Sequence, residues 1–445
     1  MIAGIARDQA QARSAANAIP ARTWNSGFDL AHDTYNGILA ASDGGVYYVL
    51  CSESLREGGR MFCLDPSTGS IRQVGDLTAA CGEAGLRSIP QGKSHVKFTE
   101  HAGRLYLATH IGYYETVDSM ERMGRPPDGY HPYPGGHFLA YDLGTGGFHD
   151  LGRAPHGEGI LSMTLDAARG LIHGLTWPTG YLLRLDLRNG ELSDLGPVSL
   201  QGEAGHGSSY RTLCRSLVTD PRDGAVYFTT ADGGIHVLEA GAQAARLVVG
   251  EDMRKDYFGC YEPSSAGNMG YHWRQAFWHE PEAAIYGVHG NSGYLFRFDP
   301  KIPCVELIER LTSNPSRRSG MCDQFSYGYL GLTLGPDGHT LYYLTGGPLY
   351  ESGQRIRGRE RTAKGESKGE ENLHVITFDL DSNRYTDHGF LLLEDGTRPS
   401  YVNSIAVGPD GTVYTLSRVR RNGQMLADLI EIPAPLIGWQ SSIRG

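Results

Sequence analysis

His95 and His110 are the residues of this sequence best placed to move a proton. They stand in GKSHVKFTEHAGRLYLATHIGYYE (residues 92–115), which alternates as a β-hairpin does. His95 opens the first strand and His110 ends the second, so both rings belong at one end of the pair. His101 falls on the turn at the other end and reads as surface. A neutral imidazole takes a proton near neutral pH, and a tyrosine or second imidazole can return one to a leaving oxygen. Tyr210 is the candidate tyrosine, and Arg215 and Arg274 are candidate clamps for a carboxylate. Trp177, Tyr329, Asn403 and Arg418 are expected to complete the binding surface. Arginine would let a substrate carboxylate accept charge from a neighbouring carbanion. This set therefore suits β-elimination at a uronic acid. The paired carboxylates of glycoside hydrolysis are not evident, because Glu158 and Glu115 serve equally well as strand-end hydrogen bonders. No Gly-x-Ser-x-Gly elbow, Walker loop or dinucleotide fingerprint occurs in the required context.

A metal is a second chemical reading. Cys260, His272, His289 and Cys322 would supply two thiolates and two imidazoles, enough for tetrahedral zinc or another divalent ion. The elimination itself needs no cofactor, and ordinary reduced cysteines are the competing account. Cys51, Cys63 and Cys214 lie mid-strand and read as small core residues.

These side chains must be positioned by a repeat. An apolar strand, a tight Gly/Asp turn and a second strand recur, the second strands being GVYYVLC (45–51), RLYLATH (104–110), LIHGLTW (171–177), AVYFTTA (225–231), AIYGVHG (284–290), TLYYLTG (340–346) and TVYTLSR (412–418). A third and a fourth strand follow in most copies, as in HFLAYDLGTGGFHDLGR, with an Asp closing the third strand before a turn. Four antiparallel strands per unit predict an all-β fold, a seven-bladed β-propeller with four-stranded antiparallel blades over 37–432. Residues 1–36 read as an N-terminal extension and 433–445 as a C-terminal tail. First strands line the channel, and the long loops 113–136, 197–210, 251–271, 312–327 and 347–372 share one face with the two histidines. In register with His95 come Arg215, Arg274, Tyr329 and Asn403, and in register with His110 come Trp177, His289 and Arg418. The charged stretch 351–372 reads as a solvated loop, with an arginine-bearing lid as the sharper reading.

The formal net charge of −10, with no basic run carrying interleaved aromatics, argues against a nucleic-acid partner. No window is long and apolar enough to predict a membrane span. The first residues lack the continuous apolar stretch of a signal peptide, and seven cysteines follow no disulfide framework. The expectation is a cytoplasmic protein with an acidic oligosaccharide or polysaccharide as its partner.

With KSHVKF, LATHIGYYE, GGHFLAYDL and GLTWPTGYLLRLDL in the seven-unit frame, the sequence resembles the seven-bladed propeller polysaccharide lyases. That grouping includes ulvan lyases and rhamnosyl-glucuronate lyases, with oligogalacturonate lyases more distant. The resemblance covers most of 37–432. It implies a catalytic histidine on an early blade, here His95 or His110, with a tyrosine and an arginine beside it. It also implies a metal near the site in some members. Where it implies the tyrosine and arginine on the next blade, this chain carries Glu158 and Trp177, and Tyr210 and Arg215 come one blade later. A carbon–oxygen lyase acting on a uronic-acid-containing glycan is the first expectation. A non-catalytic propeller that binds glycan or protein, and a metal-dependent sugar hydrolase or lactonase, are the alternatives.

Overall fold

The computed structural model describes residues 18–117, 120–266, 269–319, 331–347, 350–351, 354–355, 372–399 and 402–434. Tyr329, Cys322 and most of 351–372 lie outside the described residues. The chain is all-β, and its sheets form in sequence order from antiparallel neighbours. Five are four-stranded, spanning Ile38–Asp76, Thr99–Arg153, Gly159–Pro197, Val218–Asp252 and Trp273–Arg310. An eight-stranded sheet runs from Leu332 to Ile432 and includes Ala18–Thr23, and among the described residues three two-stranded pairs complete the strands: Gln91–Lys93 with His110–Ile111, Tyr114–Val117 with Met120–Met123, and Tyr350–Glu351 with Gln354–Arg355. Each of the seven repeated second-strand segments contains a strand: Val46–Leu50, Arg104–Ala108, Leu171–Trp177, Val226–Thr229, Ala284–His289, Thr340–Gly347 and Val413–Arg421.

The first strands pack side by side. Gly159–Asp166 lies against Val218–Thr219, which lies against Trp273–His279, and Ile38–Ala40 meets Ala406–Val407. Sheets set radially around their first strands make the β-propeller arrangement. Sequence patterning explains the packing. Second and third strands are apolar on both faces because sheets cover both sides, whereas fourth strands such as Ser70–Asp76 alternate with solvent. Where an Asp closes the third strand, it holds the following turn. Asp65 accepts from Ser67 N at 2.9 Å, Asp142 from Thr145 N at 2.9 Å, Asp186 from Arg188 N at 2.9 Å and Asp299 from Lys301 N at 2.8 Å. A short carboxylate bonding its own backbone two or three residues on is the chemistry of an Asx turn. The recurrent Asp is therefore a turn-former.

Ala18–Thr23, from the segment expected to be an extension, is a strand of the sheet. Ala18 to Ala21 pair in parallel with Phe390 to Leu393, and Arg22 and Thr23 pair antiparallel with Glu431 and Ile430. Residues beyond it stay attached, with Trp24 Nε1 donating to Glu431 at 3.0 Å and Ser26 Oγ to Asp428 at 2.5 Å. Among the described residues no helix is long and apolar enough to cross a membrane.

Candidate active site

His95 and His110 do meet. Their ring centroids are 5.7 Å apart. The Gln91–Lys93 strand pairs with the His110–Ile111 strand, so Lys93 lies opposite His110. The backbone is crowded: a Cβ on Gly112 would come within 2.0 Å of the Ser52 carbonyl oxygen, and one on Gly159 within 2.8 Å of His110 Cγ. Only glycine lets the neighbouring first strand run this close to the imidazole. Each histidine has its tautomer set by a backbone carbonyl. His95 Nδ1 bonds Leu161 O at 2.9 Å and His110 Nδ1 bonds Ile111 O at 2.9 Å. Since a carbonyl only accepts, both Nδ1 atoms carry the proton and both Nε2 atoms keep a lone pair. His110 Nε2 is buried without a hydrogen-bond partner. Burial holds both imidazoles well below the usual range, and nearby Lys93 and Arg215 add to the effect. The result is a pair of neutral bases.

Aromatic rings wall the pair. Tyr35 lies 5.3 Å from His95, Trp177 5.4 Å from His110, and Tyr114 5.6 Å from Trp177, centroid to centroid. Tyr114 is the tyrosine in hydrogen-bond contact: its Oη is 3.2 Å from His110 Nδ1 and donates to Ile111 O at 2.6 Å. Lys93, 3% exposed, places its Nζ 3.7 Å from the centre of the Tyr35 ring and 4.4 Å from that of Tyr114. Burial pushes this ammonium down to about 8. A cation between two ring faces is attracted by their quadrupoles. Tyr114 opens a hairpin, Tyr114–Val117 paired with Met120–Met123, that returns over the strand end. Arg122 on that hairpin donates to the carbonyls of Glu203 and Gly205, fastening it to the next sheet.

The sequence expectations are distributed differently. Tyr210 is 1% exposed with its hydroxyl buried and without a hydrogen-bond partner, and the histidine contact belongs to Tyr114 instead. Arg215 is bound to Glu203 at 2.6 Å in a buried ion pair and donates to Leu213 O at 3.1 Å, so its charge is already compensated. Glu203 also accepts from Trp177 Nε1 at 2.9 Å, which makes the carboxylate the brace of the tryptophan wall. Arg274 is buried, with Nη1 3.6 Å from Met269 Sδ. Asn403 Nδ2 donates to Thr34 O at 2.8 Å, and Arg418 pairs with Asp33 at 3.0 Å. These two residues hold the segment that carries Tyr35. Glu158 accepts from Thr176 Oγ1 at 2.5 Å and from Thr179 N at 3.1 Å, as a strand-end bonder does.

The proposed metal ligands are not gathered. His272 uses both nitrogens, Nδ1 with Thr229 Oγ1 at 2.9 Å and Nε2 with Thr212 O at 2.7 Å. His289 bonds Ser292 Oγ at 2.9 Å and stacks on Phe258 at 4.3 Å. Cys260 is exposed and Cys322 lies outside the described residues. Among the described residues no group of three or more His, Cys, Asp or Glu side chains is arranged to hold an ion. Cys51, Cys63 and Cys214 are buried, as expected of core positions.

Sequence reasoning missed Lys93 and Tyr114. Both flank the histidines in the same stretch, and the available signal was a lysine at a position that alternation turns inward.

No family model matches the sequence, and no curated protein matches it. Among solved structures, the chain is similar to the extracellular domain of a hybrid two-component system protein from B. thetaiotaomicron, at TM-score 0.50 and 10% identity, covering 93% of this chain and 40% of that one. It is also similar to a chain of the mitotic checkpoint complex, at TM-score 0.47 and 11% identity, covering 91% and 92%. A Bacteroides uniformis ATCC 8492 protein described as a 6-phosphogluconolactonase matches at TM-score 0.47 and 14% identity, covering 88% and 93%. At 10% identity the first likeness bears on the fold alone, and the other two add no argument.

Proposed function

We propose that this protein is a seven-bladed propeller acting as a carbon–oxygen lyase, cleaving a uronic-acid-containing glycan by β-elimination at the His95–His110 site. The blade count rests on dividing the eight-stranded sheet in two. Leu332–Leu393 supplies four strands, and Ala406–Ile432 supplies three that Ala18–Thr23 completes. The observation that carries the function is the pair of neutral imidazoles packed with a tyrosine hydroxyl and a buried ammonium.

In this reading the substrate carboxylate seats on Lys93, whose positive charge lowers the cost of removing the adjacent C5 proton. His95 is the less enclosed ring and takes that proton on Nε2. The electron pair left on C5 forms the C4–C5 double bond as the C4–O bond breaks. Tyr114 gives its proton to the departing glycosidic oxygen, and the neighbouring imidazoles relay the abstracted proton back to it. Burial holds the Tyr114 hydroxyl well above its usual range, so it arrives protonated. Arg215 acts through Glu203 and Trp177 as a positioning residue.

The test is a panel of uronate polymers and oligomers, read by the near-ultraviolet absorbance of an unsaturated uronate product. Absorbance that disappears in His95→Ala, His110→Ala and Tyr114→Phe supports the reading. Binding of acidic glycan without any such absorbance would overturn it in favour of a docking platform.

A further inference from the structure

A second polar space lies along the same channel. A cavity of about 460 Å³ is lined by residues on or just before the first strands of several sheets, among them Lys97, Ser162, Arg215, Ser216 and Gln275. The strand Gly159–Asp166 relates it to the histidine site. Gly159 abuts His110, Leu161 O holds His95, and Ser162 to Asp166 line the cavity. Asn36, Val96 and Arg215 line the cavity at its histidine end, so it begins beside His95 and follows the strand toward Asp166.

Two of its groups are poorly matched to a space filled only by protein. Lys97 is a cation whose one hydrogen bond is to Thr333 Oγ1 at 2.9 Å, and no carboxylate among the described residues offsets its charge. Gln275 is 5% exposed, and its Oε1 has no hydrogen-bond partner. A half-buried ammonium without a counter-charge and a buried amide oxygen without a donor both cost free energy. A ligand with an anionic end and a hydroxyl would relieve both. The other lining hydroxyls are occupied locally: Ser216 Oγ bonds Ala276 O at 3.0 Å, and Thr164 and Thr219 bond each other at 3.0 Å. Specificity therefore falls to Lys97 and Gln275. The volume suits a small ligand rather than a polymer.

We infer that this cavity is a second ligand site, taking a small polyhydroxylated carboxylate with its carboxylate on Lys97 and a hydroxyl on Gln275. Arg215 borders both spaces, but Lys97 and Gln275 take no part in the elimination, so the inference is tested separately from it.

Calorimetry on the full chain with sodium D-gluconate tests it, with sorbitol as the same skeleton lacking the carboxylate and acetate as the carboxylate lacking hydroxyls. Gluconate is expected to bind once per chain and more than tenfold tighter than either control. Lys97→Met should weaken it at least tenfold and Gln275→Leu severalfold, while Tyr114→Phe leaves it unchanged. Removing the buried charge should not unfold the protein, and the second variant reads the site without touching it. Absence of heat at millimolar gluconate, equal binding of sorbitol or acetate, or loss of binding in Tyr114→Phe but not in Lys97→Met would each overturn the inference.

Discussion

Replacing Lys93 with methionine should stabilise the fold and slow the reaction, and the size of the first effect follows from the site. Burial moves the Lys93 ammonium from its usual 10.5 down to about 8. At about 1.4 kcal/mol per pH unit, that displacement is a penalty of roughly 3 kcal/mol on holding the charge inside. The Tyr35 and Tyr114 rings return part of this, about 1 kcal/mol between them for a partly desolvated cation. Methionine keeps the unbranched stem without the charge, so Lys93→Met is expected to gain about 1–2 kcal/mol at pH 7. The gain must depend on pH in a definite sense. Below about 8 the lysine is protonated in both folded and unfolded chains, and the penalty is complete. Between about 8 and 10.5 the unfolded chain holds the proton more tightly than the folded one, so wild-type stability climbs relative to the variant. Above that window neither state is charged and the difference vanishes. Urea unfolding of both proteins at pH 7 and at pH 10.5 measures it. A variant less stable than wild type at pH 7, or a difference indifferent to pH, would refute the reasoning. The same substitution should lower kcat/KM by about a hundredfold to a thousandfold, the scale of one lost charge-stabilising group.

The elimination rate should fall above about pH 8, as Lys93 loses its proton, and stay flat on the acid side through the ordinary histidine range, because both imidazoles are already neutral; a pH–rate profile with an acid limb near the usual histidine value would contradict this. Arg215→Met leaves the Glu203 carboxylate buried without its cation and should cost about 3–5 kcal/mol in urea unfolding, with Glu203→Gln in the same chain restoring much of it. Gly159→Ala drives a methyl into the His110 ring, so kcat should drop while circular dichroism stays native and stability falls by about 1–3 kcal/mol.

What the sequence disclosed depended on how local the signal was. His95 and His110 were expected at the joined ends of one hairpin; they do meet, but with His95 ahead of the Thr99–His101 strand and His110 in a separate pairing with Gln91–Lys93. The seven second strands were legible because each carries its own turn chemistry. Tyr114 was harder, because it sits on a hairpin that doubles back over its own strand end, a path without periodicity. The tyrosine was therefore expected by type at Tyr210 and found by geometry at Tyr114. Lys93 drew no reading from the sequence, although alternation turns it inward, and the two rings closing over it give it its place in the site. The bond between Arg215 and Glu203 joins a loop to a strand entry, which no spacing rule foresees. Asn403 and Arg418 were expected on the binding surface, and the structure has them hold the chain that bears Tyr35.

The strand Ala18–Thr23 has a consequence for how the molecule is assembled. It touches Leu391 on one side and Glu431 on the other, so it cannot find its place before a segment far later in the chain has been made. The circle then closes as a clasp does, and among the described residues the joint pairs strands at opposite ends of the repeat array. Until it is fastened, two sheet edges stand open to any passing strand. Shortening the chain beyond residue 23 would leave them open permanently, which makes this clasp the protein's guard against self-association.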